Sequence, residues 1–155
     1  METWRGKNIK LSIELVPQSC WYNNVRSNVA PAEWDFLRKK SYQLAGHKCE
    51  VCGDVGQRQG FRHSVECHEE WSYENGKQTL VKLISLCPYC HKCKHPGLAN
   101  IKNEGHLVLS QLMLVNDMTE SEAKSYLQEA FELWEERSSQ EWELNIDYIE
   151  EFKNI

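Results

Sequence analysis

The sequence predicts one α+β domain, spanning residues 1–155, that is built around a zinc site. The chain length of 155 residues is typical of one domain, and 41% apolar residues are enough to form a hydrophobic core. Two Cys-x-x-Cys pairs frame a segment at about residues 47–97 that contains two β-prone runs. A strand and a helix are predicted before this segment, and helices are predicted after it.

The N-terminal strand is predicted from the alternation of apolar and polar residues over positions 8–15. Its apolar face contains Ile9, Leu11, Ile13 and Leu15. A helix is predicted to begin near Pro31, because proline suits the first helical position, and to end before Gly46. The apolar side of this helix contains Trp34, Leu37 and Leu44.

The β-prone runs of the cysteine-rich segment lie around Arg62–Cys67 and Thr79–Leu86. They contain the β-branched and apolar residues that favour extended backbone. We expect these two runs to form strands within the cysteine-rich segment.

The C-terminal third, at about residues 106–155, is predicted to be an acidic helical region. An apolar stretch ends at Asn116–Asp117, and Thr119 with Glu122 forms a capping box that begins a long helix. This helix carries an apolar stripe of Leu127, Phe131 and Trp134. Apolar alternation over residues 141–149 predicts a closing strand, which we expect to pair with the N-terminal strand.

The net charge of −5 is distributed unevenly, with a balance of +4 over residues 1–100 and −9 over residues 101–155. Affinity for nucleic-acid phosphates comes mostly from Lys and Arg, so an acidic chain is poorly suited to coating nucleic acid. A basic module followed by an acidic tail remains compatible with nucleic-acid binding. The tail itself is either a solvated helix face or a surface for a protein partner.

We expect a cytoplasmic protein that does not enter a membrane. No stretch approaches the roughly 18 apolar residues of a membrane span, and the N-terminus lacks the apolar segment of a signal peptide. In the cytoplasm, the seven cysteines are expected to be metal ligands or free thiols before they are disulfides.

The two Cys-x-x-Cys pairs predict a closed, structural zinc site. Each pair places two thiolates on one side of a tight turn, and two such turns complete a tetrahedral shell of four sulfurs. The four predicted ligands are Cys49, Cys52, Cys87 and Cys90. Cys93 extends the second pair into a run that also suits an iron–sulfur cluster, but the first pair already supplies the missing zinc ligands. Cys20, Cys67 and Cys93 are predicted to be free thiols.

Three histidines lie close to the cysteine pairs in the sequence. His91 and His95 are four residues apart, so on a helix they share one face and can bind one metal ion. His68 follows the first β-prone run, and an imidazole titrates near neutral pH, which suits a general base. The alternative is that all three are ordinary surface histidines of a zinc ribbon.

Residues 47–97 resemble the HNH, or ββα-metal, endonuclease family through the segments CEVCG, VECHEEW and LISLCPYCHKCKH. The resemblance implies a strand with a histidine base, a second strand, and a helix with metal-binding histidines, with a Cys₄ zinc at the ends of the motif. It therefore implies metal-assisted hydrolysis of phosphodiester bonds in DNA, with Mg²⁺, Mn²⁺ or Ni²⁺ as the catalytic ion.

Under this resemblance His68 corresponds to the general base, and His91 and His95 correspond to the metal or phosphate-contacting positions. Two positions depart from the family pattern. Cys67 occupies the place of an Asp or His metal ligand, and Lys82 occupies the place of the middle Asn. Glu66 or Glu69 would then supply the oxygen ligand that a magnesium-type ion prefers.

The surroundings of this site leave further alternatives open. Four cations either contact phosphates or form an ordinary solvated face: Arg58, Arg62, Lys92 and Lys94. Trp71 and Tyr73 are predicted to pack in the core rather than to stack on a base. The alternative function is a non-catalytic zinc module that binds nucleic acid or a protein as a regulator or inhibitor.

Overall fold

The computed structural model describes residues 2–155, which form a mixed α+β fold with seven helices and two small sheets. The strands are β1 (Glu2–Trp4), β2 (Lys7–Ile9), β3 (Glu66–Glu74), β4 (Lys77–Leu86) and β5 (Glu143–Asn145). The helices are α1 (Val25–Asn28), α2 (Pro31–Leu44), α3 (Pro88–Lys94), α4 (Pro96–Ile101), α5 (Gly105–Asn116), α6 (Glu120–Ser138) and α7 (Tyr148–Lys153). Within this range no helix combines the length and apolar character needed to span a membrane.

The centre of the fold is an antiparallel hairpin of β3 and β4, in which Glu66 lies opposite Leu86. Asn75 and Gly76 form its turn, and both have positive φ, at 52° and 73°, as a type I′ turn requires. Strand β3 begins at Glu66, whereas the predicted run begins at Arg62. Residues 62–65 instead pack on a 3₁₀ turn at Gly56–Gln59. The amide of Gly56 donates to the carbonyl of Ser64 at 2.7 Å.

The helices begin and end largely where the sequence predicts. Helix α2 begins at Pro31, and Gly46 follows it with a φ of 63°. The capping box at the start of α6 is present in both directions, with Thr119 and Glu122 each accepting from the other's amide. These predictions are confirmed. They could be made from the sequence because a helix cap depends only on residues a few positions apart.

The closing strand differs from the prediction. Strand β5 has only three residues, and it pairs in parallel with β4, so that Lys77 lies opposite Glu143. The prediction that it pairs with the N-terminal strand is therefore wrong. The alternating residues that follow Asp147 form helix α7 instead, which buries Ile149 and Phe152.

The N-terminal segment also differs from the predicted strand over residues 8–15, since β2 ends at Ile9. Its burial pattern is nevertheless the predicted one, with Ile9, Leu11 and Ile13 buried. The backbone bends at Lys10 and Leu11, and side chains take the place of a neighbouring strand. Asn116 Oδ1 accepts from the amides of Lys10 and Leu11 at 3.0 and 2.9 Å, and Asn116 Nδ2 donates to the carbonyl of Leu11 at 2.9 Å.

Two clusters of buried side chains stabilise the structure. One joins the N-terminal segment, the cysteine pairs, α5 and α6, where Ala123 and Tyr126 are buried. The other joins α2, the hairpin and α7, and it includes Trp71 and Tyr73, each 7% exposed, as predicted. The buried face of α6 centres on Ala123 and Tyr126, so the predicted stripe from Leu127 onward is only partly buried.

Candidate metal centres

The four predicted cysteine ligands lie together in an arrangement like that of a zinc site. Their sulfur atoms are all within 4.8 Å of one another, and Cys52 Sγ lies 3.6 Å from Cys87 Sγ. A tetrahedral site with Zn–S bonds of about 2.3 Å places sulfurs about 3.8 Å apart, so these side chains fit a zinc ion. The four cysteines come from the loop after α2 and from the junction of β4 with α3.

Backbone amides hold the sulfurs in position, as the tight turns of each cysteine pair require. The amide of Cys52 donates to Cys49 Sγ at 3.5 Å, and the amide of Cys90 donates to Cys87 Sγ at 3.4 Å. Hydrogen bonds from the Cys52, Cys87 and Cys90 side chains lower the pKa of the Cys49 thiol, whereas contacts within the same cluster raise the pKa of the Cys52 and Cys90 thiols.

The remaining cysteines lie outside this cluster. The buried Cys93 thiol donates to the carbonyl of Val108 at 3.6 Å and is not part of the four-cysteine cluster. Burial raises the pKa of Cys67 to about 12, so this side chain is a neutral thiol. Among residues 2–155 all seven cysteines are free of disulfides, as predicted.

A second cluster contains the three predicted histidines. His68 lies on β3, and His91 and His95 lie on α3 and at its C-terminal cap. One ring nitrogen of each lies within 4.8 Å of the others. The ring centroids are 5.3 Å apart for His68 and His91, 5.6 Å for His68 and His95, and 5.0 Å for His91 and His95. Three converging imidazoles can hold one metal ion.

The electrostatic surroundings keep two of these imidazoles neutral. Burial, together with the charges of His91 and Lys94, holds the pKa of His68 well below its ordinary value. Burial with the same two neighbours lowers the pKa of His95 to about 4. A neutral ring is the form that binds metal, so both are in the ligand form at neutral pH.

Glu66 contacts the histidine cluster without being one of its three mutually close donors. Its Oε1 lies 2.8 Å from His91 Nδ1, and its Oε2 lies 2.7 Å from His63 Nε2. The hydrogen bond with His91, followed by that with His63, lowers the pKa of Glu66 to about 2. This carboxylate can orient the His91 ring so that Nε2 faces a metal.

Glu69 lines a cavity that borders the histidine cluster. Its carboxylate accepts from the amide of Val25 at 2.7 Å. Burial raises the pKa of Glu69 to about 7, although hydrogen bonds from the amides of Val25 and Arg26 oppose this shift. The structure therefore separates the two predicted oxygen donors, because Glu66 reaches the cluster and Glu69 caps α1.

The four predicted cations differ in their surroundings. Lys92 pairs with Glu104 at 2.9 Å and Arg58 pairs with Asp54 at 3.4 Å, whereas Arg62 is exposed. Lys94 is only 3% exposed, and its Nζ donates to the carbonyl and the hydroxyl of Ser12 at 2.5 and 3.0 Å. Of these four cations, Lys94 is the one that lines the cavity next to His68 and His95.

The cavity beside the histidines has a volume of about 650 Å³. Sequence reasoning missed most of its lining, including Trp21, Arg26 and Trp134. These residues are distant from the cysteine-rich segment in sequence, and none belongs to a motif.

Comparison of the chain with protein-family models, with curated proteins and with solved structures finds no match in any of the three.

Proposed function

We propose that this protein is a metal-dependent nuclease of the HNH, or ββα-metal, type that hydrolyses phosphodiester bonds in nucleic acid, with DNA as the expected substrate. The observation that carries the proposal is a β-hairpin followed directly by a helix, in which His68 on the first strand meets His91 and His95. One cysteine pair precedes the hairpin, and the other lies where the hairpin joins the helix. This order of elements and ligands is the one that the resemblance implies.

In this proposal the four cysteines hold a structural zinc ion. A shell of four thiolates leaves no open coordination position, so it has no room for a substrate. Its role is to fix the start of α3 against the loop after α2, which positions His91 and His95.

The three histidines hold the catalytic ion. His68 is better suited to be a third ligand than a general base, because its pKa lies well below the neutral range in which a base is effective. Imidazole ligands favour Ni²⁺ or Zn²⁺ over Mg²⁺, which prefers oxygen. Such an ion, when bound, would neutralise phosphate charge and lower the pKa of a water molecule.

Two other side chains assist at this site. Glu66 holds the His91 ring in one orientation through its 2.8 Å hydrogen bond. Lys94 uses two of its three N–H groups on Ser12, so the third can donate to a phosphate oxygen in the cavity.

A plasmid-nicking assay tests the proposal with Mg²⁺, Mn²⁺, Ni²⁺ and Zn²⁺ added separately. Wild type should nick DNA with at least one of them, and His95→Ala should reduce nicking to the metal-free background. His106→Ala, an exposed histidine outside the cluster, is the matched control and should cut normally. Absence of cleavage by wild type with every metal, on plasmid DNA, on single-stranded DNA and on an RNA strand, contradicts the proposal.

A further variant, His68→Ala, distinguishes the two possible roles of His68 as metal ligand and as general base. If His68 is a ligand, His68→Ala weakens metal binding as well as cleavage. If His68 is the general base, the variant binds the catalytic ion normally and loses about 10²-fold or more in rate. In both cases the four-cysteine zinc remains bound, because His68 is not among its ligands.

A second candidate function is a non-catalytic zinc module that binds nucleic acid or a protein partner, the latter through its acidic C-terminal region. The two departures from the family pattern favour it. Cys67 is a partly buried thiol whose pKa is raised to about 12, and Lys82 Nζ lies 3.9 Å from Glu50. An inactive wild type together with an active Cys67→Asp variant would support this candidate.

A further inference from the structure

The cavity beside the histidine cluster has an aromatic wall, which we define as its five aromatic side chains other than histidine. They are Trp21, Trp34, Trp71, Phe131 and Trp134. The same cavity is lined by His68, His91 and His95, so the wall and the candidate catalytic centre face one cavity that is open to solvent. A volume of about 650 Å³ is in the usual range for a ligand-binding pocket.

Two rings of the wall are fixed in position by a single acceptor. The Nε1 groups of Trp21 and Trp134 both donate to the carbonyl of Val16, at 3.1 and 3.0 Å. Their ring centroids lie 6.5 Å apart with an interplanar angle of 21°. Trp21 is nevertheless 50% exposed, so an ordered aromatic surface is open to a ligand.

The cavity also carries cationic groups. Arg26 is exposed on its lining and forms no ion pair with any of residues 2–155. Lys94 is 3% exposed, lines the same space, and has one N–H group that no described residue accepts. An apolar small molecule would not use these cations, whereas a nucleotide offers both a π-face and a phosphate.

We propose that the aromatic wall receives an unpaired nucleobase next to the phosphate that is cut, so that the substrate is a single-stranded or locally unpaired nucleic acid. This inference rests on the proposed nuclease function and specifies its substrate. A base in an intact duplex would first have to leave the stack, at a cost of a few kcal/mol. A strand whose bases are already free avoids that cost.

The test uses the full-length protein and fluorescein-labelled 20-nucleotide strands of DNA and of RNA, each compared with its duplex. Binding is measured by anisotropy without added catalytic metal, and cleavage is measured separately in Mg²⁺, Mn²⁺, Ni²⁺ and Zn²⁺. Wild type should bind and cut the single strand in preference to the duplex. Trp21→Ala should weaken single-strand binding by about 5- to 150-fold, the equivalent of the roughly 1–3 kcal/mol of one stacked base.

Two variants control for folding. Tyr22→Ala changes the neighbouring aromatic residue, which is 91% exposed and does not line the cavity, and it should bind within twofold of wild type. Trp21→Phe keeps an aromatic face and should recover most of the affinity. A strand with an abasic position should lose cleavage at the adjacent phosphate.

The outcomes separate this inference from the function on which it rests. Equal cleavage of duplex and single strand, with no effect of Trp21→Ala, overturns the inference and leaves the nuclease proposal standing. Binding of single strands that depends on Trp21, without cleavage in any metal, supports base binding by the aromatic wall and contradicts the proposed nuclease function. Binding of the apolar dye ANS without oligonucleotide binding identifies an apolar ligand and overturns the inference.

Discussion

Glu66 Oε1 lies 2.8 Å from Nδ1 of His91, and the other oxygen of the same carboxylate lies 2.7 Å from His63 Nε2. Only Nε2 of His91 is then free to face the centre of the histidine cluster. A carboxylate in this position fixes the tautomer and the orientation of a ligand ring. In the proposed metal site Glu66 would therefore orient His91, whereas the family resemblance implies that it is an oxygen ligand.

Replacing Glu66 with Ala is expected to weaken metal binding at the three histidines by about 10- to 100-fold, because His91 loses its orienting partner. Competition with a chromophoric chelator, using Co²⁺ or Zn²⁺, measures the affinity. His63→Ala removes only the outer hydrogen bond and should have a smaller effect. Equal metal affinity in Glu66→Ala and wild type contradicts this assignment.

Purified protein should contain about one tightly bound zinc ion in the four-cysteine cluster. Cys49→Ser and Cys87→Ser should lose this zinc and aggregate, because ligands from two distant segments couple metal binding to folding. Elemental analysis and thermal unfolding measure the two effects. Cys20→Ala, a buried cysteine outside the cluster, should retain the zinc. A well-folded wild type without zinc is the result that refutes this prediction.

Asn116→Ala is expected to lower the free energy of unfolding by about 2–4 kcal/mol, since it leaves three backbone groups without partners, two of them in buried hydrogen bonds and one in a partly buried hydrogen bond. The affected groups are the amides of Lys10 and Leu11 and the carbonyl of Leu11. Urea denaturation measures the change. Asn8→Ala, an exposed position in β2, serves as the control and should change stability by less than about 0.5 kcal/mol.

The raised pKa of Glu69 predicts a pH-dependent stability. Its pKa is about 7 in the folded protein and ordinarily near 4.5, so the folded state holds a proton that the unfolded state releases. This contribution is complete below pH 4.5 and is lost as the pH rises through about 7. Wild type should therefore lose stability between pH 5 and pH 8.

Glu69→Gln should remove that loss and be more stable than wild type at pH 8 by about 1–2 kcal/mol, allowing for partial exposure of the side chain. The glutamine oxygen can still accept from the Val25 amide. Urea denaturation at pH 5 and pH 8 gives the difference, and Glu74→Gln at the exposed end of β3 is the control. An unchanged pH dependence in Glu69→Gln shows that the group titrates normally.

Features determined by nearby residues could be predicted from the sequence. The capping box of Thr119 and Glu122, the first residue of α2 and the two cysteine pairs all depend on residues a few positions apart. The meeting of His91 with His95 follows from helical spacing. The approach of His68 to them was an expectation from the family resemblance, since spacing alone does not fix how a hairpin packs on a helix.

Features determined by distant side chains could not be predicted. Alternation correctly identified the buried face of residues 8–15, but it could not show that the partner of this backbone is Asn116, more than 100 positions away. A side chain that replaces a strand leaves no periodic signal. The aromatic wall was also missed, because Trp21 and Trp134 are more than 100 positions apart and are brought together only in the fold, where both donate to the carbonyl of Val16.

That shared carbonyl has a consequence for how the cavity can change during evolution. A substitution that moves the backbone at Val16 moves the acceptor of both indole N–H groups, so we expect both rings to shift together. Positions 16, 21 and 134 are therefore coupled, and Asn116, which holds the same segment five residues earlier, is coupled to them. We expect related chains with a different occupant to exchange these residues as a group.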